Sequence, residues 1–126
     1  MSSIGKLPVG IAAVPAGSPF EPEDCADWFS LDELLNIKIG TSFGLRVTGD
    51  SMLPRIEPGD WLLVERCDIA PIGQIVVADV AGEGWVVKRL KGNSRLKLIS
   101  DNKNYPPITT EFKIMGWVRH IIKEAR

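Results

Sequence analysis

From residue 43 onward this chain of 126 residues repeats one pattern: a glycine- or proline-bearing turn, then a short apolar run rich in β-branched residues. Leu53-Pro54-Arg55-Ile56-Glu57-Pro58-Gly59-Asp60 leads into Trp61-Leu62-Leu63-Val64-Glu65, and Pro71-Ile72-Gly73 leads into Gln74-Ile75-Val76-Val77-Ala78-Asp79-Val80. Gly82-Glu83-Gly84 then turns the chain back into Trp85-Val86-Val87-Lys88-Arg89-Leu90. Such runs bounded by turn residues read as strands and hairpins. Phe43, Leu45 and Val47 alternate as an earlier strand, and Leu96-Leu98-Ile99 and Phe112 to Ile122 supply later ones. The expected fold is mainly β: a small, strongly bent, barrel-like sheet. Trp28 to Leu35 reads as a short helix or turn, with Ser30 as the candidate N-cap and Glu33 three residues on. The apolar strands near the C-terminus are expected to leave an edge exposed in a monomer, and such edges are usually covered.

Two of these stretches carry a reactive group. In Val47-Thr48-Gly49-Asp50-Ser51-Met52 a Gly-Asp pair forms a tight turn that lifts the Ser51 hydroxyl clear of the backbone. In the strand 85–90, alternation places Val86, Lys88 and Leu90 on one face and Trp85, Val87 and Arg89 on the other. An amine between valine and leucine is partly desolvated, which lowers its pKa toward that of a general base. Together Ser51 and Lys88 would form a Ser-Lys hydrolytic dyad. Taken singly, each has a plainer reading: a polar turn, and an edge lysine whose head group reaches water.

The N-terminal stretch has a different character. Pro8, Pro15, Pro19 and Pro22 argue against regular helix there. Val14-Pro15-Ala16-Gly17-Ser18-Pro19-Phe20 is an extended segment holding an Ala-Gly pair, the shape a peptidase cleft can bind. Its plainer reading is a flexible leader. Lys6 followed by Leu7 to Val14 superficially imitates a signal peptide, but Pro8, Gly10 and Pro15 break that pattern.

Composition narrows the classes. The net charge of −1 and pI near 5.8 argue against a dedicated nucleic-acid binder. Charge is uneven all the same: Glu21, Glu23, Asp24, Asp27, Asp32 and Glu33 form an acidic stretch, while bases predominate from Lys88 on. The acidic stretch could pair with the basic half, within the chain or across a dimer. Cys25 and Cys67 show no metal-ligand spacing, and His120 is the sole histidine, so neither a zinc site nor a histidine triad is expected, nor any cofactor. Two isolated thiols fit a reducing, cytoplasmic setting. No apolar run is long enough to span a membrane. Asp50 is read as a turn residue and His120 as packed or solvent-facing.

The order of serine turn, Pro-Gly-Asp turn, two strands, hairpin and Val-Lys-Arg-Leu resembles the LexA/UmuD family of self-cleaving serine peptidases. In that family the nucleophile stands in a Gly-x-Ser-Met turn and the base in a Val-Lys-[Arg/Lys]-Leu strand. The resemblance runs from about residue 14 to the C-terminus and includes Asn102-Lys103-Asn104-Tyr105-Pro106-Pro107-Ile108 and the stretch 114–123. It implies Ser51 as nucleophile, Lys88 as general base, the Ser51 and Met52 backbone N–H groups as oxyanion donors, and cleavage between Ala16 and Gly17. It also implies residues 1–28 as an extended arm carrying the cleavage site and residues 29–126 as a peptidase and dimerisation domain. Length points to the UmuD-like branch. There, autoproteolysis stimulated by a RecA filament on single-stranded DNA yields a trimmed homodimer, which joins a Y-family, UmuC-like polymerase in error-prone translesion synthesis. Two other readings stay open: a non-catalytic dimeric binding module, such as a phage or plasmid antagonist of SOS regulators, and the stand-alone peptidase half of a LexA-like repressor.

Overall fold

The computed structural model describes residues 8–11, 27–38 and 40–125. They belong to two compact units, residues 1–39 and 40–126. In the first, β1 (Pro8–Ile11) pairs antiparallel with β2 (Asp27–Ser30), Pro8 opposite Ser30 and Ile11 opposite Asp27. The helix α1 (Leu31–Leu35) follows at once, so the element expected from Trp28 begins three residues later, because 28–30 pair with β1 instead, and Ser30 stands at the N-cap position. Asn36 ends the helix in the left-handed conformation, and the Ile37 amide donates back to the Asp32 carbonyl at 2.8 Å. Ala16, Gly17 and Cys25 lie outside the described residues.

The second unit is a six-stranded antiparallel sheet. Its strands are β3 (Ser42–Arg46), β4 (Trp61–Arg66), β5 (Ile75–Val80), β6 (Gly84–Gly92), β7 (Leu96–Ile99) and β8 (Phe112–Ile122), in the spatial order β3-β4-β8-β5-β6-β7. The turn-and-run pattern therefore marks each strand to within a residue or two. The order narrows one expectation: of the apolar strands near the C-terminus, β7 is an edge of the sheet and β8 is not. The C-terminal strand is no edge: its first half pairs with β5 and its second with β4. The apolar run Ile114 to Ile122 is long because it must serve two neighbours in turn.

β8 also bends the sheet. Its register slips by one residue against β5 and again against β4, and such bulges add local twist. Gly116 sits between the slips, where a Cβ would lie 2.6 Å from Val64 Cγ1 and 2.7 Å from the Glu65 carbonyl oxygen. Only glycine lets the two strands approach so closely.

β5 explains why the sheet has apolar cores on both faces. Ile75 and Val77 join Met52, Ile56, Leu62, Val64 and Val118 in one cluster. Val76, Ala78 and Val80 join Leu90, Leu98 and Ile114 in the other. A strand with two buried faces has no polar alternation to show, which is why Ile75 to Val80 reads as a nearly unbroken apolar run. The bend brings β3, first in the order, to face β6, fifth in the order. There the rings of Phe43 and Trp85 meet at 6.1 Å, tilted by 57°.

Candidate active site

The β3–β4 connection, residues 47–60, carries the serine. Its base is tied off where Val47 accepts the Gly59 amide at 2.7 Å and donates to the Asp60 carbonyl at 2.8 Å. Gly59 takes a φ of 95°, which a residue with a Cβ rarely adopts. Asp60 is buried; its carboxylate accepts the Glu57 amide at 2.8 Å and pairs with Lys123 from beyond β8. Sequence reading assigned Pro58-Gly59-Asp60 to a turn, and the turn's aspartate proves to be a pin as well. Met52 and Ile56, both buried, anchor the loop in the first cluster, and the Ile56 amide donates to the Met52 carbonyl at 3.0 Å. Ser51 is half-buried at the head of this loop.

The lysine comes from the middle of β6. Lys88 lies opposite Val76 on β5, in the ladder where Val86 and Leu90 pack into the second cluster. Val87 packs against the first cluster, as strand alternation requires. Lys88 is 8% exposed. Burial lowers its pKa from the usual lysine value, and the carboxylate of Glu83 opposes this more weakly. The amine donates to the Ser100 hydroxyl at 2.8 Å and lies 5.3 Å from the centre of the Tyr105 ring.

Ser51, Met52 and Lys88 line one cavity of about 320 Å³ together with Leu45, Val47 and Trp85. Residues far apart in sequence are thus brought to one opening between β3 and β6. The walls are largely apolar, so the cavity can take small aliphatic side chains.

A segment of which sequence reading noted only the part from Asn102 on, and only as part of the resemblance, joins the two sides. After β7 the chain runs Ser100-Asp101-Asn102 beneath the serine loop. The Asn102 amide donates to the Ser51 carbonyl at 3.0 Å, and its side-chain amide donates to the Asp50 carbonyl at 3.1 Å. The Asp101 amide donates to the Met52 sulfur at 3.5 Å. The Tyr105 hydroxyl donates to the Asp50 carboxylate, and that bond pushes the phenol's pKa up. Asp50 is thus a turn residue that also anchors a tyrosine. On the lysine side, Asp101 accepts two hydrogen bonds from Arg89, at 2.9 and 2.8 Å, and Arg89 also donates to the Gly73 carbonyl. The Arg89 guanidinium holds the Asp101 carboxyl below its ordinary value. A polar Ser-Asp-Asn directly after a strand that pairs with the lysine strand was the available signal.

The remaining candidates lie elsewhere. His120 is half-buried on β8 and lines a separate cavity with Arg55, Arg89 and Arg119. Cys67 is a free, half-buried thiol whose pKa is raised by burial and by the neighbouring Asp68. Among the described residues no helix is long and apolar enough to cross a membrane.

The molecule is thus a bent β-sheet domain with a serine and a desolvated lysine on one cleft. It belongs to the Peptidase S24-like family, whose sequence profile matches residues 8–119. Among curated relatives, the LexA repressor of Clostridium perfringens strain SM101 is 36% identical over 103 residues, covering 80% of this chain and 51% of its own length. The LexA repressor of Carboxydothermus hydrogenoformans is 42% identical over 86 residues, covering 64% of this chain and 42% of its own. That of Syntrophobacter fumaroxidans is 36% identical over 120 residues, covering 92% of this chain and 58% of its own. The chain therefore spans about half the length of these relatives.

Proposed function

We propose that this chain is a self-cleaving Ser-Lys peptidase of the LexA type, with Ser51 as nucleophile, Lys88 as general base and Ala16-Gly17 as the bond cut. The observation that carries this reading is the shared cleft: a half-buried serine hydroxyl and a desolvated amine with a lowered pKa open on one cavity. A neutral Lys88 takes the Ser51 proton, and the alkoxide attacks the Ala16 carbonyl. The Ser51 and Met52 N–H groups receive the oxyanion. Lys88, now an ammonium, gives its proton to the Gly17 amine as that leaves. A water deprotonated by Lys88 then hydrolyses the acyl-enzyme. A tethered substrate reacts at high effective molarity, so a modest site suffices for a single turnover.

The relatives named above are repressors, which favours the peptidase half of a LexA-like regulator over a mutagenesis protein serving a translesion polymerase. In this reading the domain works as a homodimer, and a RecA filament on single-stranded DNA is the stimulus for cleavage.

Intact-mass spectrometry tests the core of this reading. Wild type, Ser51→Ala and Lys88→Ala are incubated at pH 10, then at neutral pH with RecA, single-stranded DNA and a slowly hydrolysed ATP analogue. A fragment beginning at Gly17 is expected from wild type alone. Its absence under both conditions would overturn the peptidase assignment.

A further inference from the structure

The hydroxyl that Lys88 meets is itself buried. Ser100 is 4% exposed, and it lies one step beyond the last pair of the β6–β7 ladder, in which Arg89 faces Ile99. Continuing that antiparallel register sets residue 100 opposite residue 88. A hydroxyl in such a place is costly unless hydrogen-bonded, and its partner is the Lys88 amine at 2.8 Å. We propose that Ser100 is a positioning residue for Lys88, holding one N–H of the amine so that its lone pair is directed at the Ser51 hydroxyl.

The inference rests on the Ser51–Lys88 reading and adds to it. A neutral amine has two N–H groups and one lone pair, and its terminal torsion turns freely unless something fixes it. An acceptor on one N–H restricts that rotation. After the Ser51 proton has moved to Lys88, the same oxygen accepts from the ammonium, which the apolar surroundings would otherwise disfavour. The Tyr105 ring, 5.3 Å from the amine, favours the same cation through its π face. Ser100 thereby raises the affinity of Lys88 for a proton, while burial lowers it. The other charged groups near the amine are Glu83 in the hairpin before β6, Asp50 on the far side of the Tyr105 hydroxyl, and the Arg89–Asp101 pair beside it.

The test has two readouts. In self-cleavage, Ser100→Ala is expected to lower the high-pH plateau rate about 10- to 100-fold, the scale of a misdirected reacting group. The pH midpoint moves down, because the ammonium has lost an acceptor. Ser100→Thr, which keeps the hydroxyl, is expected to stay within a few-fold of wild type with an unchanged midpoint. Ser100→Cys conserves volume but offers only a weak acceptor, so it is expected to follow Ser100→Ala even if the alanine variant folds poorly. The second readout is NMR titration of the Lys88 Cε signals in a Ser51→Ala background, which needs no cleavage. There, adding Ser100→Cys is expected to move the midpoint down and adding Ser100→Thr to leave it. A folded Ser100→Cys protein with wild-type plateau and midpoint would overturn the proposal. Loss of cleavage in wild type would instead sink the peptidase reading, while the titration would still decide whether Ser100 controls Lys88.

Discussion

Lys88 belongs to β6, which is bonded to β5 along one edge and to β7 along the other, whereas Ser51 rides on the loop 47–60. The lysine inherits its position from ladder hydrogen bonds that any strand in that place would make. The serine's position is assembled from outside its own loop: Met52 and Ile56 sunk in the first cluster, Lys123 on Asp60, and the amides of Asp101 and Asn102 beneath. The lysine's place is a property of the sheet, and the serine's place is a property of tertiary contacts. A site built this way loses the serine's placement before it loses its fold.

That contrast can be broken at matched cost. Met52→Ala and Leu90→Ala each empty a buried site, and each is expected to destabilise by about 3 kcal/mol in chemical denaturation. Only Met52→Ala is expected to slow self-cleavage beyond what the lost folded population explains, since Leu90 stabilises a strand that the ladder already positions. Equal slowing in both variants would erase the distinction between the two halves of the site.

A smaller effect sharpens the role of the joining segment. Asp101→Asn weakens the paired bonds with Arg89, and about 1–2 kcal/mol should be lost near neutral pH. The sign with pH follows from linkage. The Asp101 carboxyl titrates lower in the folded chain than in the unfolded one. Its contribution is therefore complete above the unfolded carboxyl range of about pH 4 and disappears as pH falls through the folded value. Urea midpoints measured from pH 7 down to pH 2 should fall more steeply in wild type than in Asp101→Asn. Parallel curves would mean that the Arg89 pair contributes nothing to stability.

The smallest effect belongs to the exposed tyrosine. Tyr105→Phe keeps the ring against Lys88 but removes the hydroxyl that holds Asp50. Thermal stability should be unchanged, and cleavage should slow by a few-fold because the serine loop loses one of its ties. Unchanged cleavage kinetics would remove Tyr105 from the set of groups that place Ser51.

The strands of the second unit were legible because each is an apolar run set off by turn residues, a signal contained within some ten residues of sequence; β1 and β2 were not, because their four-residue pairing joins stretches far apart in the chain. Ser51 and Lys88 were legible for the opposite reason: each is a polar group where the local pattern calls for none. Strand order was not legible, because the insertion of β8 between β4 and β5 is decided by pairing across the chain, and its two register slips leave no local trace. Ser100 escaped, and Asn102 and Tyr105 were noted only as part of the resemblance, for a related reason. Serine, asparagine and tyrosine are ordinary in a loop, and their importance comes from lying beneath residues 50–52 and beside residue 88. The expected edge among the apolar strands near the C-terminus is found at β7 but not at β8, whose length serves two partners.

The place of β8 also decides how the two halves of the cleft are coupled. The serine loop belongs to the β3–β4 hairpin and the lysine to the β5–β6 hairpin, and no ladder joins these two except through Phe112–Ile122. Without that strand the sheet's hydrogen bonds would fall into two separate ladders, β3–β4 beneath the serine loop and β5–β6–β7 holding the lysine. The eighth strand is thus the one strand whose ladder hydrogen bonds reach both. A substitution that breaks the pairing of β8 would therefore loosen the serine against the lysine while leaving each hairpin's own ladder intact.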